Sequence, residues 1–108
     1  MADRIKLVAS DNRPYIVITL LNPEDVPINI EGATIVVYFR QAGATEILST
    51  IPCFINDPAG GVCYFNFPDD TLKDLLGAYE GEIEITYQNG DKQTVYDLLK
   101  FQVRSQVG

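Results

Sequence analysis

The chain has 108 residues, a length that suits one domain around one core, and its 46% hydrophobic and 21% charged residues are an ordinary globular balance. Fifteen Asp and Glu against eight Lys and Arg leave a net charge of -7, which disfavours direct binding of nucleic acid or an anionic membrane, because both need cations. Histidine is absent, which excludes imidazole triads and His-ligated zinc, and no apolar run nears the roughly 18 residues of a membrane span.

In chain order, "DRIKLVAS" alternates Ile5 and Leu7 with charged Arg4 and Lys6. It lacks the unbroken apolar stretch of a signal peptide, so the expectation is folding in a reducing cytosol. The segment predicts a strand, either the first of the chain's own fold or one added to a neighbour's open sheet edge. "PYIVITLLN" is apolar on both faces, as a strand covered on both sides or at an interface would be. "NPEDVP" at 22–27 opens a longer connection to Gly32. "TIVVYFR" then sets Ile35, Val37 and Phe39 against Thr34, Val36, Tyr38 and Arg40, the period of a half-buried strand. "QAGAT" at 41–45 is a turn.

"IPCFINDPAGGVCYF" predicts a hairpin through the turn "DPAGG". Cys53 and Cys63 share parity there, so a disulfide is geometrically conceivable, while a reducing compartment favours two thiols packed as small apolar groups. "VCYFNF" puts Cys63, Phe65 and Phe67 on one side and Val62, Tyr64 and Asn66 on the other. "DDTLKDLLG" predicts one short helix near 70–76, capped by Asp69 or Asp70 and stopped by Gly77.

"EIEITY" turns Ile83, Ile85 and Tyr87 inward and Glu82, Glu84 and Thr86 outward. Asn89-Gly90 predicts a two-residue type I′ turn. That register pairs Ile85 with Thr94 and Ile83 with Tyr96, and makes Thr94, Tyr96 and Leu98 the next inward set. "LKFQVR" demands the opposite parity for Leu99, Phe101 and Val103, so a bulge or bend is expected near Asp97 and Leu98. Glu80, Glu82 and Glu84 form a ladder of carboxylates. The expectation is a wet outer face relieved by Lys92, with partner binding, edge protection or a cation site as alternatives.

Roughly seven strands separated by regular turns predict an all-β, immunoglobulin-like sandwich of antiparallel strands spanning residues 1–108 as one domain. The expected core is Ile35, Val37, Phe39, Phe65, Phe67, Ile83, Ile85, Tyr87, Phe101 and Val103. No catalytic group, metal or cofactor is expected; the paired Asp69 and Asp70 suit a helix cap better than acid–base chemistry.

"GATIVVYFRQAGA" (32–44), "AGGVCYFNF" (59–67) and "LLGAYEGEIEITYQNGDKQTVYD" (75–97) resemble the small Ig-like modules of tailed bacteriophages, among them the N-terminal domain of the baseplate upper protein. The resemblance covers about residues 15–104. It implies a non-enzymatic virion component, assembled in the host bacterial cytoplasm and held by other virion proteins as an oligomer or in many copies. Baseplate relatives normally continue into a further region and this chain stops at Gly108, which favours an accessory or decoration subunit of the head or head-to-tail region. A tail or baseplate subunit is the alternative, as is a monomeric Ig-like module for a carbohydrate or protein ligand.

Partner contacts are expected at outward aromatics and apolar strand faces, because tyrosine buries a large rigid area while keeping a polar tip. The candidates are Tyr38, Tyr64 and Phe54, with Ile16 and Ile18 from "YIVITLL" and Ile5 and Leu7 from the first strand.

Overall fold

The computed structural model describes residues 5–9, 13, 15–68, 71–73 and 75–105. Eight strands follow in chain order: β1 (Ile5–Val8), β2 (Ile16–Thr19), β3 (Thr34–Gln41), β4 (Ser49–Asp57), β5 (Val62–Phe65), β6 (Gly77–Thr86), β7 (Lys92–Thr94) and β8 (Leu99–Arg104). They hydrogen-bond in the order β1-β8-β6-β3-β4-β5-β2, with β7 also on β6. The all-β expectation is met, with two differences. The strands number eight among the described residues, and β1 runs parallel to β8, so the pairing is mixed rather than wholly antiparallel.

The centre of the sheet is built by alternation. In β3 and β6 every second side chain is buried, and the two strands pair without interruption from Thr34–Thr86 to Gln41–Tyr79. β4 carries the sheet around: Ser49–Cys53 pair with β3, whereas Phe54 and Ile55 pair with β5. One extra residue between Ile55 and Asp57 makes a bulge, and such bulges bend and twist a strand. Curling brings Phe67, which Phe65 of β5 meets edge-on at 5.7 Å, against Phe39 and Phe101 of the other half. Phe67 meets Phe39 and Phe101 edge-on, at 5.2 and 5.6 Å between ring centroids. Gly81 lies opposite Phe39 in the register, and a Cβ there would come within 2.8 Å of Val37 Cγ1. The aromatic cluster therefore fills the space a side chain at 81 would occupy.

Nine of the ten expected core residues are buried; Tyr87 packs against the cluster only in part. The core also takes Leu20, Ile28 and Ile30 from the connection after β2. This connection is a tight excursion: Asn22 Oδ1 accepts from the amides of Glu24 and Val26, and Ile28 N donates to Leu20 O at 2.9 Å. It lies so close to Gly61 that a Cβ there would sit 2.8 Å from both Leu20 O and Ile28 O. Gly61 also has φ of 71°, a conformation that L side chains rarely adopt.

Three local expectations need correction. No helix occurs among the described residues of 70–76: Thr71–Lys73 form a turn, with i to i−3 contacts from Thr71 N to Pro68 O and Leu75 N to Leu72 O. Two helical turns have little stability of their own, and burying Leu72 needs only a turn. The expected caps Asp69 and Asp70 lie outside the described residues.

The hairpin after β6 has a three-residue loop. Gly90 N donates to Tyr87 O, and Tyr87 N donates to Asp91 O at 2.7 Å. Gly90 has φ of 95° while Asn89 is not in a positive-φ conformation, so the turn is not type I′. Asn89 instead accepts the amide of Asp91 at its own Oδ1.

The extra loop residue moves the register by one. Thr94 faces Glu84, Gln93 faces Ile85, and Val95 is buried while Tyr96 is 86% exposed. Val95 thus shares parity with Leu99, Phe101 and Val103, and the conflict expected from the sequence disappears. A bend at Tyr96–Asp97 is nevertheless present. It inserts two residues before β8 pairs with the first half of β6, a step that preserves parity.

Candidate interaction surface

The outer side of β6 carries the glutamate ladder, which is half-buried rather than wet. Arg40 on β3 meets Glu80 through Nε–Oε1 at 2.9 Å, with side chains only 24% and 13% exposed, and Gly43 N donates to the same oxygen at 3.3 Å. Tyr38 Oη donates to Glu84 Oε1 at 2.9 Å. This hydrogen bond, with burial and the nearby charge of Glu84 and Glu82, pushes the Tyr38 phenol above its ordinary pKa. Lys92 stands opposite Thr86 and is not the relief that the sequence suggested. Among the described residues no three His, Cys, Asp or Glu side chains come together to hold a metal ion.

Cys53 and Cys63 are free. The neighbouring Cys63 thiol together with burial pushes the Cys53 thiol up, which keeps it protonated at neutral pH.

A different surface lies on the outer side of the β4–β5–β2 half. Tyr64 stands between Phe54 and Tyr15, with ring centroids at 5.5 and 5.6 Å, and Val17 is its partner across the β2–β5 pair. Tyr15 and Val17 are each 64% exposed and Phe54 is 52% exposed. Alternation explains the row: β2 and β5 bury Ile16, Cys63 and Phe65, so Tyr15, Val17 and Tyr64 must point outward.

Of the contact residues expected from sequence, Tyr64 and Phe54 are brought together in this row. Tyr38 is on the acidic face and its hydroxyl is occupied. Ile16 and Leu7 are buried, and Ile5 and Ile18 pack against the core. The first strand completes the chain's own sheet on β8, with Leu7 opposite Val103. Tyr15 and Val17 were missed because the run "YIVITLL" is apolar at both parities, and only the partner strand shows which parity faces the core. Tyr96 was missed through the one-residue register error.

The structure is thus a curled all-β scaffold with a polar face paired within the chain at Arg40–Glu80 and Tyr38–Glu84 and an aromatic row on the other half. The family model of the BppU N-terminal domain, the N-terminal domain of the baseplate upper protein, matches residues 2–107, and the chain belongs to that family. Its fold is similar to that of the N-terminal domain of phage TP901-1 ORF48, at 20% identity and a TM-score of 0.66, over 97% of this chain and 86% of that one. No curated protein matches the chain. The family is one of phage baseplate structural domains, which makes the chain a phage baseplate-associated domain.

Proposed function

We propose that this domain is a non-enzymatic structural unit of the phage baseplate, held in place by contacts with other virion proteins and present in several copies. The family match across residues 2–107 carries this reading, and it favours the tail tip over decoration of the head. The exposed row of Tyr15, Val17, Phe54 and Tyr64 supports it, because rigid aromatic side chains dominate binding energy at protein interfaces. Tyr15 and Phe54, the two most exposed aromatic residues of the row, present roughly 230 Å² in total, judged from the 150–250 Å² that an aromatic side chain buries. A stable interface needs about 800 Å² per partner, so such a contact gains strength from repetition around an assembly.

Labelling the protein with gold-conjugated antibody on purified particles tests the proposal. Label at the tail tip is the expected result; label on the head, or none, overturns it. A soluble monomer with glycan affinity and no particle association would instead favour a free binding module.

A further inference from the structure

The geometry points to a strand-acceptor site: the edge of β2 that pairs with no described strand, with the cleft beneath it, takes an extended segment of a basic partner protein. This deepens the baseplate reading and rests on it only for the partner's place in the particle.

Backbone direction is the first observation. Leu20 N donates to Gly61 O and Asn22 N donates to Val26 O, so the even-numbered residues direct their amides toward β5 and the 20–28 excursion. Antiparallel ladders alternate, and the amides and carbonyls of Val17 and Thr19 therefore point the other way, where no described strand lies. The second observation is the space beside them. A cleft of about 270 Å³ runs along Val17–Leu21 and is closed on the far side by Ile83, Val95 and Leu99. An added strand would place alternate side chains in this apolar cleft and the others beside Val17 and the aromatic row.

Protection of the edge is the third. Exposed sheet edges are usually guarded by lysine, proline, a bulge or short length. The other edge, β1, carries an exposed Lys6. β2 is as short as β1, four residues, but the run around it, residues 15–21, Tyr-Ile-Val-Ile-Thr-Leu-Leu, carries no charge and no proline. Charge selects the occupant. Asp97 lines the cleft, and Asp25 joins it around the adjoining hollow of about 440 Å³ formed with Leu21, Pro23 and Tyr96. Among the described residues no basic side chain lines either space. A second copy of a chain with net charge -7 would be repelled, whereas a segment with Lys or Arg flanking its apolar residues complements the rim.

The test uses two synthetic nine-residue peptides of alternating valine and threonine, one flanked by lysines and one by aspartates. With the isolated chain at low salt, the lysine-flanked peptide should bind about tenfold more tightly and slow amide exchange at Val17 and Thr19. Val17→Pro, which removes an amide that the chain's own ladder does not use, should abolish binding without moving the unfolding midpoint. Thr19→Lys, which sets a cation against the incoming one, serves if the proline unfolds β2. Equal binding of both peptides, no binding, protection elsewhere, or self-association lost in Thr19→Lys would overturn the inference. A photo-crosslinking residue at position 19 in intact particles should capture a basic, extended segment of another virion protein; capture of a second copy overturns it. Absence of the chain from particles would sink the baseplate reading alone, leaving the peptide result to decide the strand site.

Discussion

The β3–β6–β8 region and the β2 region use similar residues to opposite effect. In the first, outward polar groups of the central strands find partners within the chain: Arg40 with Glu80, Tyr38 with Glu84. Inward, Phe39 stacks on Tyr79 at 5.3 Å and meets Phe101 edge-on at 5.5 Å. In the second, Tyr15, Val17, Leu21 and Tyr96 expose apolar surface, and the edge backbone of β2 pairs with no described strand. One region satisfies its chemistry within the chain and so specifies the fold. The other leaves apolar side chains and an edge backbone open, which is the observation behind the strand-acceptor proposal.

The sharpest way to break this contrast is to truncate one aromatic side chain in each region. Phe39→Ala removes a fully buried ring with three aromatic neighbours and should destabilise the domain by about 3–5 kcal/mol, enough to unfold much of it. Tyr96→Ala should change stability by no more than about 0.5 kcal/mol. Urea unfolding of the two variants measures both. A loss of more than about 2 kcal/mol at Tyr96 would mean that the β2 side is also committed to folding.

Glycine substitutions sharpen the comparison at backbone level. Gly81→Ala forces a methyl against Val37 and Phe101 and should cost about 1–3 kcal/mol by overpacking. Gly61→Ala meets two carbonyl oxygens and a positive φ at once, so its loss should be at least as large. Neither residue touches the aromatic row, so thermal melting should register both while surface contacts in folded molecules stay unchanged. At the row itself the order reverses. Phe54→Ala with Tyr64→Ala should weaken incorporation into particles about tenfold or more, measured by copy number per particle, with a much smaller shift in melting temperature.

What the sequence made legible follows the same division. Ile83 and Ile85 alternate with glutamates, and Ile35, Val37 and Phe39 with Thr34, Val36, Tyr38 and Arg40, so period assigns their faces, and nine of the ten expected core positions are buried. β2 alternates apolar with apolar, and its inward parity depends on a strand more than forty residues later in the chain. Asn89-Gly90 announced a turn, yet one loop residue more or less exchanges Thr94 for Val95 at the core, a choice fixed by the hydrogen bonds of Tyr87 rather than by turn propensity. Leu72 shows the same limit from the other side: a helix was expected over its segment, and its burial is achieved on a turn.

The smallest effect tests whether the paired face is as closed as its geometry implies. The bond from Tyr38 to Glu84 is made only by the protonated phenol, and Glu84 and Glu82 both oppose its ionisation, so the folded state holds this proton more tightly than the unfolded chain does. At neutral pH the phenol is protonated and donates this bond. As pH rises past the ordinary tyrosine value of about 10, the unfolded chain ionises first and this contribution to stability fades, vanishing once the folded phenol has ionised too. Tyr38→Phe should therefore cost about 0.5–1.5 kcal/mol at pH 7 and show a shallower decline in stability above pH 10. Equal alkaline slopes in the two proteins would show that Tyr38 stands free of the acidic ladder. In that case the β6 face would join the β2 side as surface open to a partner.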